Sequence, residues 1–124
     1  MSTSPTPFAM SKPLKEQSTV FDLKARLDWG EPALTIIDTR SREAFNIGRI
    51  TGAISMPTDE LVARVSQSLE SDRDIYVYGD TDEQTVEAAT KLREAGYQSV
   101  AELQGGLAAW KAADGPVEGS FATV

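Results

Sequence analysis

Apolar residues fall along this chain in short blocks with two alternating rhythms. The stretches "ALTIIDT" (33–39), "AISMP" (53–57), "DIYVY" (74–78) and "SVAEL" (99–103) are compact and rich in β-branched or aromatic residues, which predicts strands. Between them the spacing turns helical. Val20, Leu23 and Leu27 recur on one face, with Phe21 and Trp29 nearby; Ser18 or Thr19 supplies a cap, and Gly30 followed by Pro32 supplies the stop. Ser41 can cap a single turn in "SREAFNIG" (41–48). Leu61, Val62, Val65 and Leu69 share a helical face, with Thr58 predicted as N-cap and Glu60 close behind. Val86, Ala89 and Leu92 are predicted inward on a helix over 82–95, with Gly96 as its C′ residue. "GGLAAWKAA" (105–113) reads as a short helix, and the residues after it as a tail.

Strands alternating with helices predict an α/β fold with a mostly parallel sheet covered on both faces. In such sheets the ligand crevice lies beyond the carboxyl ends of the strands. Two loops qualify, the one after Asp38 and the one after Tyr78.

Composition narrows the chemistry. At 124 residues the chain is long enough for one core and too short for two. Its 40% hydrophobic and 25% charged content is ordinary for a globular protein. A net charge of −7, with 12 scattered Lys and Arg, argues against nucleic acid or an anionic membrane as partner. No apolar run approaches the roughly 18 to 20 residues a membrane span needs. Residues 1–17, rich in Ser, Thr and Pro and without the apolar stretch of a signal peptide, read as a flexible lead, and the cytoplasm is the expected location. There is no Cys and no His. Thiol catalysis, disulfides, thiolate metal sites and the commonest general base are thereby excluded.

The stretch "IYVYGDTDEQTV" (75–86) raises the sharpest question. A strand-to-helix turn ordinarily binds anions, because backbone N–H groups and the positive end of the helix dipole converge there. Here it holds Asp80, Asp82 and Glu83 and no basic residue. Thr81 is expected to cap the helix, and no partner base for its hydroxyl is evident. Asp80, Asp82 and Glu83 match no calcium-loop spacing, so neither a metal nor any other cofactor is expected.

In "IIDTRSREAFNIGRITGAISMP" (36–57), Asp38-x-Arg40 is followed by Glu43-x-Phe45 and Gly48-x-Ile50-x-Gly52-Ala53, ending at Pro57. This resembles the N-terminal signature of the rhodanese family. "LREAGYQSVAELQGGLAAWKAADGPV" (92–117) resembles the family's later stretch: a helix ending at Gly-Tyr, a strand, a Gly-Gly turn and a helix carrying Trp. The resemblance covers residues 18–117, leaving 118–124 as a tail, and implies a three-layer fold with a five-stranded parallel sheet. In active rhodaneses a Cys after the central strand accepts sulfane sulfur, and that position falls on Gly79. Gln84 stands where active members commonly carry Arg, and Arg49 where the first signature often has His.

The leading expectation is therefore a catalytically inactive rhodanese-like domain that acts as a protein-binding or regulatory module. The binding loop is Gly79, Asp80, Thr81, Asp82, Glu83, Gln84 and Thr85, with Asp38, Arg40 and Arg49 in support. Carboxylates around the pocket are expected to repel an anionic substrate and to favour a basic or hydrogen-bond-donating partner surface. Two other readings stand beside it: sulfur or phosphoryl chemistry with a thiol lent by a partner, and an assembly domain whose contacts lie elsewhere. Asp38 and Arg40 are expected to pair at a strand end, Tyr76, Tyr78 and Trp110 to sit in the core, and Trp29 to be exposed enough to touch a partner.

Overall fold

The computed structural model describes residues 16–30 and 33–120. In chain order its elements are β1 (Gln17–Ser18), α1 (Val20–Asp28), β2 (Leu34–Asp38), α2 (Arg42–Ile47), β3 (Arg49–Ile50), β4 (Ile54–Ser55), α3 (Leu61–Ser68), β5 (Asp74–Tyr78), α4 (Asp82–Glu94), β6 (Val100–Leu103), α5 (Gly106–Ala112) and β7 (Val117–Glu118). Five strands form one parallel sheet in the order β1-β6-β5-β2-β4, and β3 pairs with β7 as a separate antiparallel ribbon. The expected three-layer architecture is present.

Alternation along each strand divides the core in two. Ile37, Ile75, Val77 and Val100 face one side and pack with Leu61 and Val65 of α3 and Ala88, Ala89 and Leu92 of α4. Ile36, Tyr76, Tyr78, Ala101 and Leu103 face the other, against Val20 and Leu23 of α1 and Trp110 of α5. Tyr76, Tyr78 and Trp110 are all buried, as the sequence predicts. Trp29 is 82% exposed.

Several local expectations give way to tertiary contacts. Thr58 does not cap α3. That helix starts at Leu61 with Glu60 at the cap position and no side-chain cap, while the Thr58 hydroxyl donates to the Thr39 carbonyl across the loop. Val62 and Val86 are exposed; Leu61 and Val65 hold α3 to the sheet, and Thr85, Ala88, Ala89 and Leu92 hold α4. Phe21 and Leu27 also reach solvent, leaving Val20 and Leu23 as the buried residues of α1. Thr19 rather than Ser18 caps α1, in a reciprocal capping box with Asp22.

Two pairings lie outside the hydrophobic pattern. Gln17 and Ser18 add a strand alongside Glu102 and Leu103. Val117 and Glu118 fold back onto Ile50 and Arg49 rather than trailing as a tail. The Arg49 guanidinium completes that clasp, donating to Glu118 at 3.0 Å and lying 4.4 Å from the centre of the Phe45 ring. Residues 1–15 of the expected lead and 121–124 of the tail lie outside the described residues.

Candidate functional site

β5 delivers Gly79 to the carboxyl edge of the sheet, and α4 begins three residues later. Thr81 caps the helix as expected: its hydroxyl accepts from the Gln84 amide at 3.1 Å. Thr85 is buried because it serves the loop. Its hydroxyl accepts from the Gly79 amide at 2.8 Å and donates to the Thr81 carbonyl at 3.0 Å. That polar duty turns Thr85 rather than Val86 inward, a phase that hydrophobicity alone misreads.

Gln84 folds back over the start of the loop. Its side-chain carbonyl accepts from the Asp80 amide. A Cβ built on Gly79 would stand 2.5 Å from Gln84 Oε1 and 3.0 Å from its Cδ. The glutamine thus fills the room a side chain at position 79 would need.

Asp82 reaches the opposite wall. Its carboxylate accepts from the Gly105 amide at 2.9 Å, tying α4 to the Gly-Gly turn before α5. That turn needs its glycines. Gly105 and Gly106 have φ of +78° and +53°, and a Cβ on Gly106 would meet the Gly79 carbonyl at 3.3 Å. Loop amides at 79, 80, 84 and 105 are therefore all satisfied by oxygens of the chain itself. The amides of Thr81, Asp82 and Glu83 donate to nothing among the described residues.

Beneath the loop lies a buried ion pair. Asp38 is wholly inaccessible, and Arg40 grips it in fork geometry, with Nη2 at 2.7 Å and Nε at 3.0 and 3.1 Å. Arg40 Nη2 also donates to the Gly48 carbonyl at 2.6 Å, and the guanidinium lies 5.6 Å from the centre of the Tyr78 ring. Burial pulls the Arg40 pKa down, but the hydrogen bonds and charge of Asp38 outweigh it and leave it raised. Burial, helped by the Asp38 charge, pushes the Tyr78 phenol well above its ordinary value. Its hydroxyl accepts from the Ile50 amide at 3.2 Å.

An open cleft of about 420 Å³ sits over this floor, with Arg40, Gly79 and Asp80 on one side and Gly105, Leu107 and Lys111 on the other. The ring of negative charge expected from the sequence is not what the fold builds. Asp82 is turned onto Gly105, Glu83 does not line the cleft, and Arg40 and Lys111 bring positive charge from distant segments. Asp38 and Arg40 stand at the site, whereas Arg49 is held in the β3–β7 clasp and lines no part of this cleft. Leu107 and Lys111 were not expected here; the Gly-Gly turn, which must approach another backbone, was the available signal. Among the described residues no cluster of three or more acidic groups is placed to hold a metal ion. No described helix is long and apolar enough to cross a membrane.

Comparison with known proteins agrees with this geometry. A family model, the rhodanese-like domain, matches residues 19–113. The chain is 35% identical over 99 residues to the HTH-type transcriptional regulator Rv0324 of Mycobacterium tuberculosis, covering 78% of this chain and 42% of that protein. It is 32% identical over 82 residues to the thiosulfate sulfurtransferase GlpE of Shewanella oneidensis, covering 66% of this chain and 80% of the relative. Against the uncharacterized protein YqhL of Bacillus subtilis it spans 59% of the relative's length. It therefore spans well under two thirds of some of its relatives. Among solved structures, the rhodanese-like domain of the Alr3790 protein from Anabaena sp., determined by solution NMR, superposes with a TM-score of 0.85. The identity there is 55%, over 89% of this chain and 83% of that one.

Proposed function

The chain belongs to the rhodanese-like domain family, and on that basis we propose that it is a member without sulfur-transfer chemistry that binds a protein partner through loop 79–85. One observation carries the reading: the Gln84 side chain occupies the room beside Gly79 and holds the Asp80 amide.

An active loop needs a thiolate, and backbone N–H groups free to hold the transferred sulfur's anionic partners. This chain offers no thiolate, and only the amides of Thr81, Asp82 and Glu83 are left without a partner among the described residues. It has no cysteine at any position, and the amides at 79, 80 and 84 are capped by Thr85, Gln84 and Thr81. The internal bonds to the amides at 79, 80, 84 and 85 hold the loop backbone in one shape. A loop held in this way is a good docking surface because little conformational freedom remains to be lost on binding. The exposed side chains of Asp80, Thr81, Asp82 and Glu83, with the three amides that lack partners among the described residues, are the contact groups.

Sulfur transfer from thiosulfate to cyanide tests the first half. The wild type is expected at the level of a protein-free blank, with or without an added thiol carrier protein; turnover above the blank overturns it. Partner capture by the wild type and by Asp80→Lys/Asp82→Lys tests the second half. Equal capture by both removes the loop from the contact.

A further inference from the structure

The amino ends of β2 and β4, opposite the end of the sheet that carries Gly79, border an open cleft of about 360 Å³. Leu27 of α1, Leu34 and Ile36 of β2 and Ile54 of β4 give it apolar walls, and Arg73 is the one charged residue of its lining among the described residues. Leu27 and Ile54 are 37% and 41% exposed, and Trp29, at the foot of the same helix as Leu27, is exposed further. Arg73 precedes β5 and is fixed by the start of β2: Nε donates to the buried Thr35 hydroxyl at 2.9 Å, and Nη2 donates to the Leu34 carbonyl at 3.0 Å. Both acceptors are neutral. No carboxylate of the described residues pairs with this guanidinium, and Nη1 donates to nothing among them. Asp74, next along the chain, is taken by Arg26 at 3.0 Å, and Asp72 is exposed, where solvent screens it. Arg73 is thus a cation whose charge is not yet spent. A carboxylate brought to it gains a charge-assisted bond without first having to order the arginine.

We propose that this cleft is a second protein-docking surface, which receives a partner segment in which an Asp or Glu adjoins an apolar side chain. The carboxylate meets Arg73, and the apolar group packs on Leu27 and Ile54. Charge complementarity selects this occupant. A basic segment would set like charge against the Arg73 guanidinium. A wholly apolar segment would cover that guanidinium and leave its charge buried without a counterion. An exposed Trp and an arginine beside an apolar cleft are also the residue types that carry most binding energy at protein interfaces. The surface lies at the far end of the sheet from loop 79–85 and does not depend on the reading given for that loop.

Phage-displayed random heptapeptides, selected on the wild type and counter-selected on Leu27→Asp/Ile54→Asp, test it. Both substituted residues are exposed, and matched melting curves check that the variant folds. The expected result is enrichment of peptides with an apolar residue next to Asp or Glu. A synthetic copy should bind the wild type roughly tenfold more tightly than the same peptide with its carboxylate changed to the amide. On Arg73→Gln the two peptides should bind alike. Equal binding of acid and amide by the wild type overturns the proposal without any variant having to fold. Enriched basic peptides, or no enrichment above an empty support, also overturn it. Peptides that bind Leu27→Asp/Ile54→Asp as well as the wild type but are lost on Asp80→Lys/Asp82→Lys overturn the cleft and leave the loop reading standing.

Discussion

Gly79 and Gln84 form a matched pair: the bare α-carbon of one leaves the space that the folded side chain of the other fills, 2.5 Å from where a Cβ would be. The glutamine gains a hydrogen bond to the Asp80 amide by lying there. Substitutions at the two positions should therefore not act independently. Gly79→Ala is expected to cost about 1 kcal/mol, mainly by expelling the Gln84 carbonyl from that bond. In a Gln84→Ala background the same change should cost far less. Urea unfolding of the four proteins measures the coupling, and additive effects would show that the side chains do not compete.

The same pair governs any attempt to restore chemistry. Gly79→Cys alone puts the new Sγ where Gln84 now lies, so it should remain a poor sulfurtransferase. Gly79→Cys/Gln84→Arg removes the obstruction and adds a cation at the helix N-terminus, where a thiolate is favoured. Thiosulfate:cyanide turnover should rise from the single to the double variant, and a smaller rate for the double variant would contradict the steric account.

Arg40 holds the inaccessible Asp38 carboxylate through both its backbone amide and its guanidinium. Removing the guanidinium leaves a buried charge unpaired, which typically costs about 3–5 kcal/mol. Arg40→Ala should lose that much stability, and Arg40→Lys should recover only part of it, since an ammonium cannot reproduce the fork. Thermal or urea unfolding decides, and a loss below about 1 kcal/mol for Arg40→Ala would mean water replaces the pair.

Stability should fall at alkaline pH, and the direction follows from Tyr76 and Tyr78. Burial raises both phenols in the folded protein. The unfolded chain ionises them near about pH 10 and the folded chain does not. Above that pH the folded state holds more protons than the unfolded state, so stability declines as pH rises and is constant with respect to these groups below it. Tyr78→Phe should flatten the decline. It should also cost about 1–3 kcal/mol at neutral pH, because the buried Ile50 amide loses its acceptor. Urea midpoints at pH 7 and at pH values above 10 give both quantities; an unchanged alkaline slope would exclude Tyr78 as a contributor.

Gly115 lies flat against the indole of Trp110, and a Cβ there would come within 2.2 Å of Trp110 Cε2. The indole cannot yield. It is fully buried, and its Nε1 donates to the Pro116 carbonyl at 2.7 Å. Gly115→Ala should destabilise by about 1–3 kcal/mol, the usual cost of overpacking. It should also loosen the β3–β7 ribbon that follows, which hydrogen exchange at Ile50 and Glu118 would register.

Much of the fold was legible in the chain. The compact runs ending at Asp38 and Tyr78 declared strands, and alternation with helices declared a parallel sheet whose carboxyl edge carries the site. Elements without an apolar signature were not legible. Gln17–Ser18 and Val117–Glu118 are two-residue strands held by pairing with distant partners, and nothing in their side chains marks them. Thr58 as a cap and Val86 as an inward residue were misjudged for a related reason: the hydroxyls of Thr58 and of the neighbouring Thr85 each serve a backbone group that only the folded chain brings near.

At the site the division is sharper. The sequence by itself determined that no thiol and no imidazole exist, that glycine follows the strand ending at Tyr78, and that Asp38 and Arg40 lie at a strand end two residues apart. Those are matters of composition and local register. Only the tertiary structure decided the electrostatics of the cleft. Asp82 meets the amide of a residue 23 positions away, and Arg40 arrives from the loop after β2 and Lys111 from α5. Charge along a chain says how much field is available; the fold, by setting distance and direction, says where it acts.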